Sequence, residues 1–481
     1  MAHRSLADGR LVGNGEAAAY GLAGGGQVFG YSLATSYLMY FYINVFHIDP
    51  RVVGLMLFIE GIWDIVNNPL AGMVIDRTRT KHGKMIPYLR IFMAPLAVFT
   101  ILLFIGPYLI DDPSAFAPSK IAWMFITYFA WEIFYTITDV SYWGLSAAIS
   151  PNEQDRSRVL TFNNISQNIG STIPLILAPL LMDYSAANPA KLEMRGVFLI
   201  LGLAAGIIGI GLFSLAGICC RERVEQSREG SSFRESAREL VHNPGLRLIV
   251  LSGLIRSLAG VGGVLQNYYF IDVLGYASMG VLVSIPSMIT WCFSYALLPR
   301  IRRRFDARQF SILSAVLVGI SWLLAFGIGL RWYQSAAVMV PVLMVQNALF
   351  GLISAPMSII QNEMLADATD YSEWTTGKRS EGVSFSLRIT TVKIGGTIVQ
   401  SIGSALLSLI GYVTSPDNAR VPQSGAVQFR IWTIFALVPG IIYLLSAIPF
   451  LFYDLIGAKR ERMRRELKQR RKGSAGTALE N

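Results

Sequence analysis

Cysteine is nearly absent: the 481 residues hold three, Cys219, Cys220 and Cys292. Their spacing forms neither a metal-ligand set nor a disulfide framework. Histidine is almost as scarce, and His3, His47, His82 and His242 lie outside the apolar runs or at their edges, which excludes a histidine proton relay buried within those runs. Charged residues make up 15% of the chain against 53% hydrophobic, with a mean hydropathy of +0.47. So little charge excludes a soluble globular chain, and the recurring long apolar runs are those of membrane helices. The first run, residues 20–46, is too long for a removable signal peptide and is expected to stay as a span. No nucleophile–base pair or metal-ligand cluster rises above background, so the chain reads as no enzyme and needs no cofactor.

Twelve apolar stretches follow one another, at residues 20–46, 52–75, 88–110, 120–148, 160–183, 196–220, 247–272, 277–298, 308–330, 333–360, 383–411 and 430–456. Each suffices for one crossing at about 20 residues. With the N-terminus placed in the cytoplasm, the short inner connections carry thirteen Lys/Arg and the outer ones seven, so both termini are expected to be cytoplasmic. The net charge of +10 is local: Lys459 to Lys472 holds nine Lys/Arg against two Glu. That run reads as a cytoplasmic tail, not as a nucleic-acid-binding segment. The boundaries expected are an N-terminal segment 1–19, a six-helix bundle 20–220, a linker 221–246, a second bundle 247–456 and a basic tail 457–481. Ser232–Glu235 in the linker has capping-box spacing, which predicts a short helix there. Six spans plus six is the layout of the major facilitator fold, an all-α membrane architecture with a binding site expected at the midplane between the halves.

The polar residues inside the spans carry the chemistry. Asp64 sits near the middle of the second span, where a carboxylate costs roughly 2.5–3.5 kcal/mol on insertion scales and is functional by default. Glu60, Asp64 and Asn68 recur every fourth residue and share one helix face, which must look at water, an ion or a partner charge. The fourth span carries Glu132, Tyr135, Thr136, Asp139 and Trp143. A carboxylate beside amphipathic aromatics suits a sugar ring, its C–H face on the ring and its hydroxyls on the polar groups; Trp143 packed into a helix interface is the other reading. Asn163, Asn164, Gln167 and Asn168 in the fifth span either glue helices together or bond a hydroxylated ligand. Gly21, Gly24, Gly25, Gly26 and Gly30 in the first span point to close helix packing. The second half contributes cations: Arg256, Arg388 and Lys393, the last followed by Gly395 and Gly396. Each needs a partner in the membrane, and Asp64, Asp139, Glu60 and Glu132 are the available carboxylates.

These residues, taken in order, resemble the glycoside–pentoside–hexuronide:cation symporters, the melibiose-permease family of the major facilitator superfamily. The matching pieces are Tyr37–Tyr42, Ile62-Trp63-Asp64 through Pro69, Arg79–Pro87, Tyr135-Thr136 to Asp139 and Trp143, Gln361–Glu381, Val392–Gly396 and Gly411-Tyr412. The resemblance implies alternating-access symport of a sugar with H+ or Na+, in a multi-pass membrane protein, by default of a bacterial inner membrane. It places the cation site at Asp64, Asn67, Asn68, Thr136 and Asp139, with Na+ an option at Asp64/Asp139. It places sugar binding at Tyr135, Asp139, Trp143, Asn164, Arg256, Ser358, Arg388 and Lys393, with Lys393 linking the halves. The run Gly72, Asp76, Arg77, Arg79 and Gly83 looks like the superfamily's gating loop, which implies a cytoplasmic latch at Asp76, Arg77 and Arg79. The partners implied are a sugar, a coupling cation and the lipid bilayer, with a monomer expected.

The departures sharpen the expectation. Asn68 stands where melibiose-type members carry a second Asp, which removes a charge from the cation site and opens proton coupling. Val28 replaces an Asp, Asn164 an Arg, Ser358 a Trp and Arg388 a Gln. The exchange makes the C-terminal side more positive, and arginine captures carboxylates bidentately. An anionic sugar is therefore expected, such as a uronide, a uronate oligosaccharide or a sulfonated sugar. A neutral glycoside or pentoside is the alternative; a lysolipid carrier and a non-transporting sugar sensor are the others.

Overall fold

A backbone surrounded by hydrocarbon must satisfy its N–H and C=O groups within its own segment, so long apolar runs fold as helices. The structure, a computed structural model, describes residues 11–224, 243–376, 381–414 and 421–477, and among them every regular element is helical. In the first part α1 is Asn14–Tyr40, α2 Pro50–Arg77, α3 Ile86–Ile91, α4 Met93–Leu109, α5 Pro118–Ala148, α6 Glu153–Ala187 and α7 Met194–Cys219. Then come α8 Pro244–Val273, α9 Ser278–Arg304, α10 Ala307–Trp332, α11 Ala336–Thr376, α12 Glu381–Leu409, α13 Gly425–Leu451 and α14 Gly457–Thr477. Among the described residues nine helices, α5 to α13, are long and apolar enough to cross a membrane, and α4 is a shorter apolar helix. Length does not keep α1 and α2 out of that set, at 27 and 28 residues; their glycines and buried polar groups lower the hydropathy.

The chain divides into two compact units. One comprises Met1–Arg228 with Tyr276–Ser278 and Ser404–Gln423; the other is Glu229–Gly275, Met279–Gly403 and Ser424–Asn481. In the first unit α1 and α6 touch backbone to backbone: a Cβ on Gly170 would run into the carbonyl oxygen of Gly25, and one on Gly24 into the side chain of Asn163. The glycine stripe of the first span is thus a packing device, as expected from its composition. The outlying pieces join this unit through polar contacts. Ser404 Oγ donates to the Pro50 carbonyl at 2.6 Å, Tyr412 Oη to Asn44 Oδ1 at 2.8 Å, and the Ala277 and Ser278 N–H groups to the Asp183 carboxylate at 2.7 and 2.8 Å.

One helix boundary differs from expectation. The tenth span was expected to end at residue 360, but α11 runs on to Thr376. Gln361–Thr376 contains neither glycine nor proline, so nothing stops the helix where the apolar sequence ends. The capping box seen is at the start of α10, where Asp306 and Gln309 exchange side chain-to-backbone bonds of 2.7 and 3.1 Å; Ser232–Glu235 lies outside the described residues.

In the second unit, the basic tail is a docked helix. Met463 and Leu467, one turn apart on α14, are buried with Met364, Leu365 and Ala368 of α11 and with Leu246 and Tyr453. Beside this contact Asp367, 2% exposed, accepts from Arg460 Nη2 at 2.6 Å and Arg464 Nη2 at 2.7 Å. Trp374 Nε1 donates to Glu466 Oε2 at 2.6 Å. Arg462 and that indole N–H hold the Glu466 carboxyl below the usual carboxylate range. The Asp367→Asn variant leaves two guanidiniums on a neutral acceptor. Arg464 is half exposed, so the expected loss is about 1–2 kcal/mol, below the 3–5 of a fully buried pair. Trypsin should cut α14 faster in that variant, whereas Glu461→Gln, whose partner Arg465 is exposed, should leave the rate unchanged.

Candidate functional site

The candidate coupling residues lie in the first unit, on α1, α2 and α5. In α2, Asn68 Nδ2 donates to the Asp64 carboxylate and to the Asp64 backbone carbonyl, the latter at 2.8 Å. The i, i+4 spacing read from the sequence is what makes that pair meet. One residue earlier, Asn67, 5% exposed, points at α5 and donates Nδ2 to Thr136 Oγ1 at 2.9 Å. Thr136 Oγ1 in turn donates to Glu132 Oε1 at 3.1 Å. From α1, Gln27 Nε2 donates to Asp139 Oδ1. The structure thus joins Asn67 with Thr136, and Asp64 with Asn68, while Asp139 takes a partner that the sequence reading had not named.

Aromatic rings frame these groups. Tyr31 of α1 stacks on Tyr135 with centroids 5.2 Å apart, and Tyr135 stacks on Trp131 at 5.0 Å. The Tyr31 hydroxyl is within electrostatic reach of Glu132, Asp64, Asp139 and Glu60. Among the described residues no three Asp, Glu, His or Cys side chains come together as a metal-holding group. Trp143 is 43% exposed, its ring edge-on to Tyr142 at 5.9 Å; it is not packed away in a helix interface. The amides of α6 divide. Asn163 is buried and accepts from Tyr142 Oη at 2.6 Å, so it serves as glue, while Asn164 is exposed.

In the second unit, Arg256 lies over the Tyr443 ring at 5.4 Å, a cation–π seat that a cation in a membrane helix favours. Arg388 of α12 donates Nη1 to Asn362 Oδ1 of α11. Ser358 spends its hydroxyl on the Ala355 carbonyl of its own helix, at 2.7 Å. Lys393 is exposed. A Cβ on Gly395 would strike the Ser257 side chain, so α12 and α8 approach closely there, next to Arg256.

The expected latch residues sit at the end of α2, with Arg77 and Arg79 exposed and Asp76 partly buried. The loop after them is held from a distance. Gly83 has φ +102°, and the Glu222 carboxylate fills the space a Cβ there would need. That carboxylate accepts three successive backbone N–H groups, from Lys84 at 2.9 Å, Met85 at 2.6 Å and Ile86 at 2.9 Å. Next to it Arg223 pairs with Glu16 of α1 at 2.8 Å.

The family described as MFS/sugar transport protein matches residues 19–456. The chain belongs to it. This family member is 27% identical to the isoprimeverose transporter of Lactiplantibacillus pentosus, over 88% of this chain and 85% of that one. It is 25% identical to a glucuronide carrier protein homolog of Escherichia coli strain K12, over 94% and 95% of the two chains. It is 24% identical to the putative glycoside/cation symporter YagG of the same strain, over 90% of each. Solved structures share the fold at low identity. The nucleoside transporter NupG aligns with a TM-score of 0.61 at 12% identity, over 92% of this chain and all of that one. An inward-facing bacterial homolog of the human lysosomal transporter Spinster aligns at 0.59 and 14%, over 92% and 98%. The resemblance to the glycoside–pentoside–hexuronide group therefore holds, and the protein is a multi-pass membrane transporter, not an enzyme.

Two residues of this MFS member escaped the sequence reading in different ways. Gln27, an amide in an otherwise glycine-rich apolar span, was a signal available but unused. Glu222 lies beyond the last apolar residue of α7, where a charge in the sequence RER carries no mark of its target. Glu222→Ala should strip the carboxylate from three N–H groups at a helix start, costing about 1–3 kcal/mol. It should lower the unfolding temperature in detergent.

Proposed function

We propose that this transporter is a cation-coupled symporter of a sugar or glycoside, working by alternating access in a bacterial inner membrane. Its twelve crossings would group as the bundles 20–220 and 247–456, with both termini in the cytoplasm and the monomer as the working unit. The observation that carries the reading is the polar layer inside α1, α2 and α5. Stacked rings at Tyr31, Tyr135 and Trp131 lie beside Asp64, Asp139 and the Asn67–Thr136 link. Rings and hydroxyl-bonding groups suit a sugar, and partly buried carboxylates suit a coupling cation. The names of the relatives, an isoprimeverose transporter, a glucuronide carrier homolog and a glycoside/cation symporter, support the same class.

The substrate in this reading is anionic, held by Arg388 with Arg256 and Lys393 nearby in the chain's second half, and oriented by Tyr135, Asp139, Trp143, Asn164 and Ser358. Asp64, Asn67, Asn68, Thr136 and Asp139 form the cation side, and Asp76, Arg77 and Arg79 the cytoplasmic latch. A neutral glycoside is the second reading. It is favoured by the existing engagements of the arginines, Arg388 with Asn362 and Arg256 with Tyr443. Uptake of labelled methyl β-D-glucuronide and methyl β-D-glucoside into cells separates the two. Arg388→Gln should cut glucuronide uptake roughly 10- to 100-fold, the worth of a charge-assisted hydrogen bond, and spare the glucoside. Unchanged glucuronide uptake would refute the anionic reading.

A further inference from the structure

We infer that Glu132 is the carboxylate on which this transporter takes up a coupling proton, an inference that rests on the symport reading above. Glu132 lies at the middle of α5 and is 7% exposed. A carboxylate held at that depth of a membrane helix is expensive unless it has a task or a partner. Glu132 Oε1 accepts from the Thr136 hydroxyl, which in turn accepts from Asn67 of α2. A hydroxyl has one proton to give. With that proton committed to Glu132 and a lone pair committed to Asn67, the link between α2 and α5 has a fixed direction that ends on the Glu132 oxygen.

The strength of that link depends on the charge at its end. A hydrogen bond to an ionised carboxylate is about twice as strong as one to a neutral group. When Glu132 takes H+, its charge goes from −1 to 0 and the pull on Thr136, and through it on Asn67, weakens. One proton thereby changes how tightly two membrane helices are tied, which is what coupling requires.

A second observation points to an incoming cation. Gln27, 2% exposed, gives Nε2 to Asp139, and its Oε1 has no hydrogen-bond partner. A buried acceptor without a donor is costly. A proton needs one carboxylate, whereas sodium needs several oxygens at one point. The titratable groups within electrostatic reach of Glu132 or its neighbours include Tyr31 on α1, Glu60 and Asp64 on α2, and Tyr128, Tyr135 and Asp139 on α5 itself.

The test uses the full-length protein in proteoliposomes with labelled methyl β-D-glucuronide and methyl β-D-glucoside. Exchange is measured at equal pH on both sides, and accumulation under an inward proton gradient or an inward sodium gradient. Glu132→Gln should abolish proton-driven accumulation and flatten its pH dependence, while exchange falls no more than a few-fold. If that variant does not fold, Glu132→Asp is read instead. It should retain accumulation, with the pH profile moved to lower pH, as befits the more acidic side chain. Wild-type accumulation driven by sodium and indifferent to the proton gradient overturns the inference. So does a Glu132→Gln protein that accumulates like wild type, or a Glu132→Asp protein with an unmoved profile. Joint loss of exchange and accumulation in a folded Glu132→Gln marks a structural residue and overturns it too. A wild-type protein that moves neither probe overturns the symport reading and the inference with it.

Discussion

Ionisable groups inside an apolar solvent must have company, and the first unit is arranged around that constraint. Asp64, Asp139 and Glu132 each accept from a neutral donor of a neighbouring side chain: Asn68, Gln27 and Thr136. The packing follows from the same need. Close contact of α1 with α6 through Gly25 and Gly170, and the reciprocal bonds of Tyr20 and Tyr142 to each other's carbonyls at 2.9 and 2.8 Å, hold the backbone that places Gln27 against Asp139.

The second unit meets the constraint differently. Arg256 is met by an aromatic face and Arg388 by an amide, while the acidic partner Asp367 is kept at the far end of α11, where two arginines of α14 reach it. Asp367 and its two arginines thus form a full ion pair near a helix end, while Arg256 and Arg388 take softer contacts. That distribution agrees with the cost of burying an ion pair, which is high even when the geometry is good.

Much of this was legible in the sequence. The apolar runs, the glycine stripe of the first span and the i, i+4 relation of Asp64 and Asn68 are properties of one segment at a time, and one segment can be read from its own residues. The links between segments were not legible. Asn67 and Asn68 are adjacent and chemically identical, yet one bonds within its helix and the other reaches α5; only the rotation of α2 against α5 decides which. Asn163 and Asn164 part in the same way, into glue and exposed amide. The extension of α11 could have been read from the absence of a helix breaker, but the drop in hydropathy suggested a loop. In α14 the pair Met463 and Leu467 was visible as an apolar step in a charged run, though without a surface to dock on it carried no weight against so many arginines.

The docking of α14 has a consequence for the order in which the molecule can be completed. Asp367 and the apolar face around Met364 belong to α11, whereas the side chains that cover them come some hundred residues later, on a helix that follows all the other described ones. A ribosome delivers α11 well before α14. Until α14 arrives, a carboxylate and an oily patch stand open at the end of a 41-residue rod, about 60 Å long at its helical rise. Closure of that patch is therefore a late event of biosynthesis, and a chain cut short before α14 would carry the open patch as a mark of its incompleteness.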